Sequence, residues 1–183
     1  FFNLPNALIF VRIALIPLIL YFLLSEEIAY HALYALIIFS IASLTDLADG
    51  WLARKRSQVT TIGKYADPIA DKLLILATLF AFSSLGQIAS IWVWVILIRE
   101  AGVMILRAYA ASHSIVISAS WAGKLKTISQ VALVIALFVT LQWPLGEVGL
   151  IIKHLLLILA IGLTLFSGLE YAYKSRSLFR AVS

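Results

Sequence analysis

Apolar residues run along this chain in long blocks, separated by short polar stretches. Six blocks stand out, at roughly 5–24, 31–54, 65–84, 89–110, 121–141 and 148–172. Each reaches the length of about 20 residues that carries an α-helix across a bilayer. The pattern predicts an all-α, polytopic membrane protein with six transmembrane helices. The connections divide by charge. SEEIAYH, SSLGQIAS and QWPLGEVG contain no Lys or Arg and carry Glu26, Glu27 and Glu147. The opposite ends of the blocks hold Arg54, Lys55, Arg56, Lys64, Lys72, Arg107, Lys124, Lys126, Lys174, Arg176 and Arg180. By the positive-inside rule both termini and the loops near 55–65 and 111–120 face the cytoplasm. For Lys55, Arg56, Lys174, Arg176 and Arg180 the plain alternative is anchoring among lipid headgroups. Trp92, Trp94, Trp121 and Trp143 fall near block ends, where interfacial aromatics are expected.

Composition narrows the classes further. The chain has 183 residues, 63% of them hydrophobic and 13% charged, with a mean hydropathy of +1.04. A typical soluble domain is about 45–50% apolar and about 25% charged. An ordinary soluble enzyme, a disordered chain and a fibrous protein are excluded. Six spans use up the length, so residues 1–183 are expected to form a single transmembrane catalytic domain. There is no cysteine, which removes disulfides, thiolate metal sites and a cysteine nucleophile. The first apolar block lacks a preceding basic residue and a small-residue cleavage pattern, so no cleavable signal peptide is expected.

The acids carry the strongest chemical signal. The four aspartates, Asp46, Asp49, Asp67 and Asp71, all lie within SLTDLADGWLARKRSQVTTIGKYADPIADKLL. The first two fall near the end of the second block and the other two open the third. A carboxylate at membrane depth is costly and marks function by default. Four converging carboxylates repel one another unless positive charge sits between them. Asp46, Asp49, Gly50 and Ala53 follow i, i+3, i+4, i+7 and share one helical stripe. Gly63, Asp67 and Asp71 follow i, i+4, i+8 and share another. Two antiparallel helices joined by a short loop can face these stripes together. Such an all-oxygen cluster suits Mg²⁺, Mn²⁺ or Ca²⁺ rather than zinc or copper. Gly50 and Ala53 leave room for close approach, and Arg54 at the rim can grip a phosphate. Pro68 is placed in the first turn of the third helix. The bland alternative is that the aspartates cap helices or pair with Lys64 and Lys72.

The stretch reads D-x-x-D-G-x-x-A-R, then eight residues, then G-x-x-x-D-x-x-x-D. At every fixed position it resembles the signature of the CDP-alcohol phosphatidyltransferases. That resemblance implies the CDP-alcohol phosphotransferase fold and a bound metal pair, Mg²⁺ or Mn²⁺. It implies Asp46, Asp49 and Asp67 as metal ligands, with Asp71 both near the metal and the general base. It implies that Gly50, Ala53, Arg54 and Gly63 contact the CDP moiety. It also suggests a homodimer. The residues fit such chemistry on their own terms. Metals neutralise a pyrophosphate and the departing CMP, while a carboxylate accepts the proton of an attacking alcohol.

The acceptor is less sharply marked. NLPNALIFVRIALIP, VILIREAGVMILRAYA and SASWAGKLKTISQ resemble segments of bacterial phosphatidylglycerophosphate synthases. The activity implied is transfer of the phosphatidyl group of CDP-diacylglycerol to the 1-hydroxyl of sn-glycerol 3-phosphate, in the bacterial cytoplasmic membrane with the active site facing the cytoplasm. Glycerol 3-phosphate is dianionic and needs cationic clamps. Arg99, Arg107, Lys124 and Lys126 are the candidates, Arg99 and Arg107 being eight apart on one face. The alternatives are a buried pair of Arg99 with an acid such as Glu100, and lipid anchoring for the other three. Inositol phosphate or phosphatidylglycerol remains open as acceptor, and a divalent-cation transporter is the reading from another class. Against the transporter, no inverted repeat is visible and the aspartates gather near one face. No nucleic-acid partner is expected. Asn6 is read as a helix cap or as a contact to the CDP-lipid. Arg12 is expected to snorkel to the cytoplasmic surface. His31, His113 and His154 are scattered and receive no role. Glu170 is expected to meet a cation that the sequence does not identify.

Overall fold

The computed structural model describes residues 4–56, 61–113 and 120–182, with side chains over 9–45, 68–113 and 120–175. Six α-helices account for nearly all of them: α1 (Leu4–Leu24), α2 (His31–Arg56), α3 (Thr61–Ser84), α4 (Ser90–Ser112), α5 (Trp121–Gln142) and α6 (Gly146–Val182). No strand occurs among the described residues. The protein is therefore all-α, as the apolar blocks predict.

Most helix ends fall within a few residues of those blocks. The C-terminal end of α6 does not. The helix runs 37 residues to Val182, ten beyond the end of the apolar block, so Lys174, Arg176 and Arg180 lie on a helix and not in a tail. Hydropathy falls off after Tyr171, but YKSRSLFRAV contains neither Gly nor Pro to break the backbone. A second difference concerns Pro68. Because α3 starts at Thr61, Pro68 lies about two turns inside the helix rather than in its first turn. It has no N–H to give to the Lys64 carbonyl. The Lys72 ammonium instead adds a donor to the Pro68 carbonyl at 3.1 Å.

The helices pack as a bundle in which α1 lies on α2 and α3, α2 on α5, α5 on α6, and α4 on α3 and α6. Fully buried Phe39, Phe82 and Phe138 come from α2, α3 and α5. The Phe82 and Phe138 rings meet edge-on at 4.8 Å between centroids, an arrangement that aromatic quadrupoles favour. Leu74, Leu79, Ile96, Leu133 and Leu137 fill the space around them. Two contacts fasten the acidic end of the bundle. The Leu33 amide, in the unpaired first turn of α2, donates to Gln142 Oε1 at 3.0 Å. Ser83 and Ser90 hydroxyls meet at 2.9 Å across the α3–α4 turn. Gly86 in that turn has φ +71° and Gly146 at the head of α6 has φ +57°, conformations that cost glycine little.

The outside of the bundle is also apolar. Ile98, Ile105, Ile158 and Leu169 are each about 70% exposed. Among the described residues, Trp121–Gln142 and Gly146–Ser175 are long and apolar enough to cross a membrane, with mean hydropathies of 1.7 and 2.3. Arg12 behaves differently from the expectation of snorkelling. It is completely buried, because its place on α1 faces α2 and α3 rather than the outside of the bundle.

Candidate active site

Four helices meet at the end of the bundle opposite the Leu33–Gln142 contact, and three of them bring charge to it. On α4, Arg99, Val103 and Arg107 stand at i, i+4 and i+8, so they share a face, with Glu100 beside it. The start of α5 contributes Ser120, Gly123, Lys124, Lys126 and Thr127. Tyr171 comes from α6 and Lys72 from α3. Together they line a cavity of about 370 Å³. The structure thus gathers all four proposed acceptor clamps, Arg99, Arg107, Lys124 and Lys126, at one cavity, and adds Lys72. Five cations face one carboxylate there, a balance that favours an anionic ligand.

That carboxylate, Glu100, is 3% exposed and organises its neighbours. Arg99 Nη1 donates to Glu100 Oε1 at 3.0 Å, and the Lys126 ammonium donates to the same oxygen. Arg99 Nη2 donates to Ser167 Oγ on α6 at 2.8 Å. Arg99 therefore makes the buried pair that the sequence offered as an alternative, while also lining the cavity. Lys126 is 5% exposed, so it does not anchor in lipid headgroups. Only a buried carboxylate makes burial of that ammonium tolerable.

Arg107 is held differently. Its guanidinium lies 4.9 Å from the centre of the Tyr171 ring, and Nη2 donates to the Tyr171 hydroxyl. The same ring lies 5.8 Å from the Arg99 guanidinium. Tyr171 is itself buried and packs beside Gly123. Lys124 is exposed, with its ammonium 5.3 Å from the Trp121 ring. The head of α5 is fixed by Ser120, whose hydroxyl accepts the Gly123 amide at 3.1 Å, an N-cap bond.

A second, narrow cavity of about 20 Å³ adjoins the first and is lined by Asp71, with Ile75, Leu76, Ile96 and Gln130. Lys72, Glu100, Lys126 and Thr127 line both. Asp71, the proposed base, therefore stands behind the same side chains that wall the cationic cavity. Gln130 is fixed there by donating to Thr164 Oγ1 at 3.1 Å.

The side chains of Asp46, Asp49, Gly50, Ala53, Arg54, Gly63, Asp67 and Asn6 lie outside the described side chains. Their backbone is described. Asp46, Asp49, Gly50 and Ala53 keep their i, i+3, i+4, i+7 places on the continuous helix α2. Asp67 and Asp71 are one turn apart on α3. Asn6 is the third residue of α1, past the N-cap position that the sequence suggested for it. No group of three His, Cys, Asp or Glu that could hold a metal occurs among the described residues. The four-aspartate set on α2 and α3 offers only hard oxygen donors, which fits Mg²⁺ or Mn²⁺. Glu170 meets its cation on its own helix, pairing with Lys174 one turn on at 2.6 Å.

Sequence reasoning passed over Tyr171, Ser167 and the lining role of Lys72. Tyr171 stands at the end of an apolar block, where an aromatic reads as filler. Glu100 carried a usable signal: an Arg-Glu doublet inside an apolar block demands partners.

A cation-lined pocket next to a carboxylate, in an all-helical bundle with an apolar exterior, suits an anionic group such as a phosphate. The model of the CDP-alcohol phosphatidyltransferase family matches residues 2–166, and the chain belongs to that family of enzymes. It is similar to the CDP-diacylglycerol--glycerol-3-phosphate 3-phosphatidyltransferase of Bacillus subtilis (strain 168), with 38% identity over 185 residues and 95% of each chain covered. The proteins of the same name from Rickettsia bellii and Shigella flexneri serotype 5b are 34% and 32% identical, each pairing covering 96–97% of both chains.

Proposed function

We propose that this enzyme transfers the phosphatidyl group of CDP-diacylglycerol to the 1-hydroxyl of sn-glycerol 3-phosphate, giving phosphatidylglycerophosphate and CMP. The observation that carries this reading is the cationic cavity adjoining Asp71. An acceptor phosphate held by Arg107 and Lys124 would lie in a cavity that shares Lys72, Glu100, Lys126 and Thr127 with the narrow cavity lined by Asp71. The relatives' names, over nearly the whole chain, point to the same acceptor.

In this scheme the Asp71 carboxylate accepts the proton of the 1-hydroxyl. The acceptor oxygen then forms a bond to the phosphorus that bears diacylglycerol. The bond from that phosphorus to the bridging oxygen breaks, and CMP leaves with the electron pair. Asp46, Asp49, Asp67 and Asp71 would hold Mg²⁺ or Mn²⁺, two ions by the family resemblance, which supplies charge neutralisation at the pyrophosphate. Gly50, Ala53, Arg54, Gly63 and Asn6 are proposed contacts to the CDP-lipid. All six helices, as one catalytic domain, would span the bacterial cytoplasmic membrane, with the cationic end inside. The apolar exterior and the segregation of basic residues to that end support this placement. A homodimer belongs to the same proposal, supported by the family resemblance alone.

The test is an acceptor panel with the purified protein, CDP-diacylglycerol and Mg²⁺ or Mn²⁺. CMP release is expected with glycerol 3-phosphate and not, at matched concentration, with inositol 1-phosphate or phosphatidylglycerol. CMP release with one of the others instead would reassign the acceptor. Metal flux into liposomes without lipid turnover would replace the enzyme by a transporter.

A further inference from the structure

Two of the side chains that hold the acceptor cavity together come from α6 after the family match ends. That match stops at residue 166. Ser167 and Tyr171 follow it, one helical turn apart, and both are buried. Ser167 receives Arg99 Nη2 at 2.8 Å. Tyr171 takes the Arg107 guanidinium over its ring at 4.9 Å and accepts a hydrogen bond from it. The segment beyond the shared match is thus in contact with the residues proposed to meet the acceptor.

The physical consequences follow from the chemistry of arginine. An exposed guanidinium on a long stem samples many rotamers, and fixing it on binding costs affinity. A buried phenol ring beneath it, with the hydroxyl as acceptor, restricts that motion before any ligand arrives. The hydrogen bond occupies one N–H of Arg107 and leaves the guanidinium its other donors for a phosphate oxygen. We propose that Tyr171 is a positioning residue that pre-orders Arg107 for the phosphate of the acceptor. Asp71 and the CDP-lipid contacts lie on other helices and do not depend on it. This inference rests on the acceptor reading given above.

Tyr171→Phe removes one oxygen and keeps the ring in its packing, so it tests the hydrogen bond without emptying the site. In the full-length enzyme the KM for glycerol 3-phosphate should rise roughly tenfold, while kcat and the KM for CDP-diacylglycerol stay within about twofold. In the Arg107→Ala background the same change should have almost no further effect on acceptor KM, because the two residues act as a unit. A purely structural role predicts additive losses and an equal fall for both substrates; either result overturns the proposal. Binding of inorganic phosphate, measured by calorimetry on the detergent-solubilised protein, separates the two levels of inference. Should the wild type fail to use glycerol 3-phosphate, the acceptor reading falls, but weaker phosphate binding by Tyr171→Phe still upholds the positioning role. Equal phosphate affinity in the two proteins sinks it.

Discussion

Glu100 of α4 and Lys126 of α5 form an ion pair in which both partners are 5% exposed or less. Arg99 shares the carboxylate, so one acid holds two cations inside a largely apolar bundle. The arrangement is costly to assemble and more costly to break. Removing one member of such a pair strands a buried charge and typically costs about 3–5 kcal/mol. Glu100→Ala is therefore expected to lower the unfolding temperature of the detergent-solubilised protein sharply. Glu100→Gln combined with Lys126→Gln should recover the part of that stability lost through the stranded Lys126 ammonium, Arg99 being without its carboxylate in both, and should not recover activity. If the double variant is no more stable than either single one, the pair is not the source of the loss.

Arg107 and Lys124 line the same cavity but are held unequally. Arg107 is braced by Tyr171, whereas Lys124 lies near an indole ring that is 77% exposed. An unrestrained, solvated charge contributes little at a distance, on the order of 1 kcal/mol in water at 4 Å. Arg107→Ala should raise the acceptor KM by roughly ten- to a hundredfold. Lys124→Ala should raise it by no more than about fivefold, an effect further reduced at high salt. Steady-state kinetics in which glycerol 3-phosphate and CDP-diacylglycerol are varied separately decide the matter. Equal changes in the two KM values for Arg107→Ala would mean that this arginine anchors the protein and does not meet the acceptor.

What could be read from the chain alone tracks the range of the interactions involved. The helices were legible because each is a run of local hydropathy, and the cations that line the cavity were legible because charge in an apolar block is conspicuous. Their meeting was not, since it depends on how α4, α5 and α6 pack. Arg12 and Pro68 show the limit from the other side. Arg12 looked close enough to the surface to snorkel, yet the rotation of α1 turns it inward. Pro68 looked like a first-turn residue because the polar stretch before it hid the true start of α3. Tyr171 left no trace in the pattern, because an aromatic in an apolar block looks the same whether it faces lipid or an arginine. Three of the four aspartates, by contrast, are known here through helical register and sequence spacing alone.

Asp71 lines the narrow cavity behind Glu100 and Lys126, and its assigned task is to accept a proton. An amide of the same shape cannot do so at neutral pH. Asp71→Asn should cut CMP release by roughly two to four orders of magnitude, the usual span of a general-base contribution. Binding of CDP-diacylglycerol should persist within severalfold, as measured by competition with CMP. Near-normal turnover in this variant would remove the base assignment and leave Asp71 a ligand or a structural acid.

The Leu33–Gln142 contact supplies a control at the far end of the bundle. Gln142 caps an otherwise unpaired amide of α2 from 109 residues away in sequence. Gln142→Leu should destabilise the fold by about 1–2 kcal/mol, the usual cost of a lost cap. Acceptor and donor KM should not change, because the contact lies opposite the cationic cavity. A change in either KM would show that the two ends of the bundle are coupled.

Metal dependence is part of the proposed function, and the donor set on α2 and α3 makes it testable. Four carboxylates on neighbouring helices repel one another unless a cation sits among them, and oxygen ligands alone favour Mg²⁺ or Mn²⁺. Treatment with EDTA is expected to abolish CMP release, and titration with Mn²⁺ or Mg²⁺ to restore it. Asp49→Asn and Asp67→Asn should shift the metal concentration for half-maximal activity upward, since each removes one charged ligand. Arg107→Ala should leave that concentration unchanged if its cavity takes the acceptor, as proposed, and not the metal. Full activity in EDTA, with metal content checked by elemental analysis, would remove the cation from the mechanism and force another account of why the four aspartates share two helical stripes.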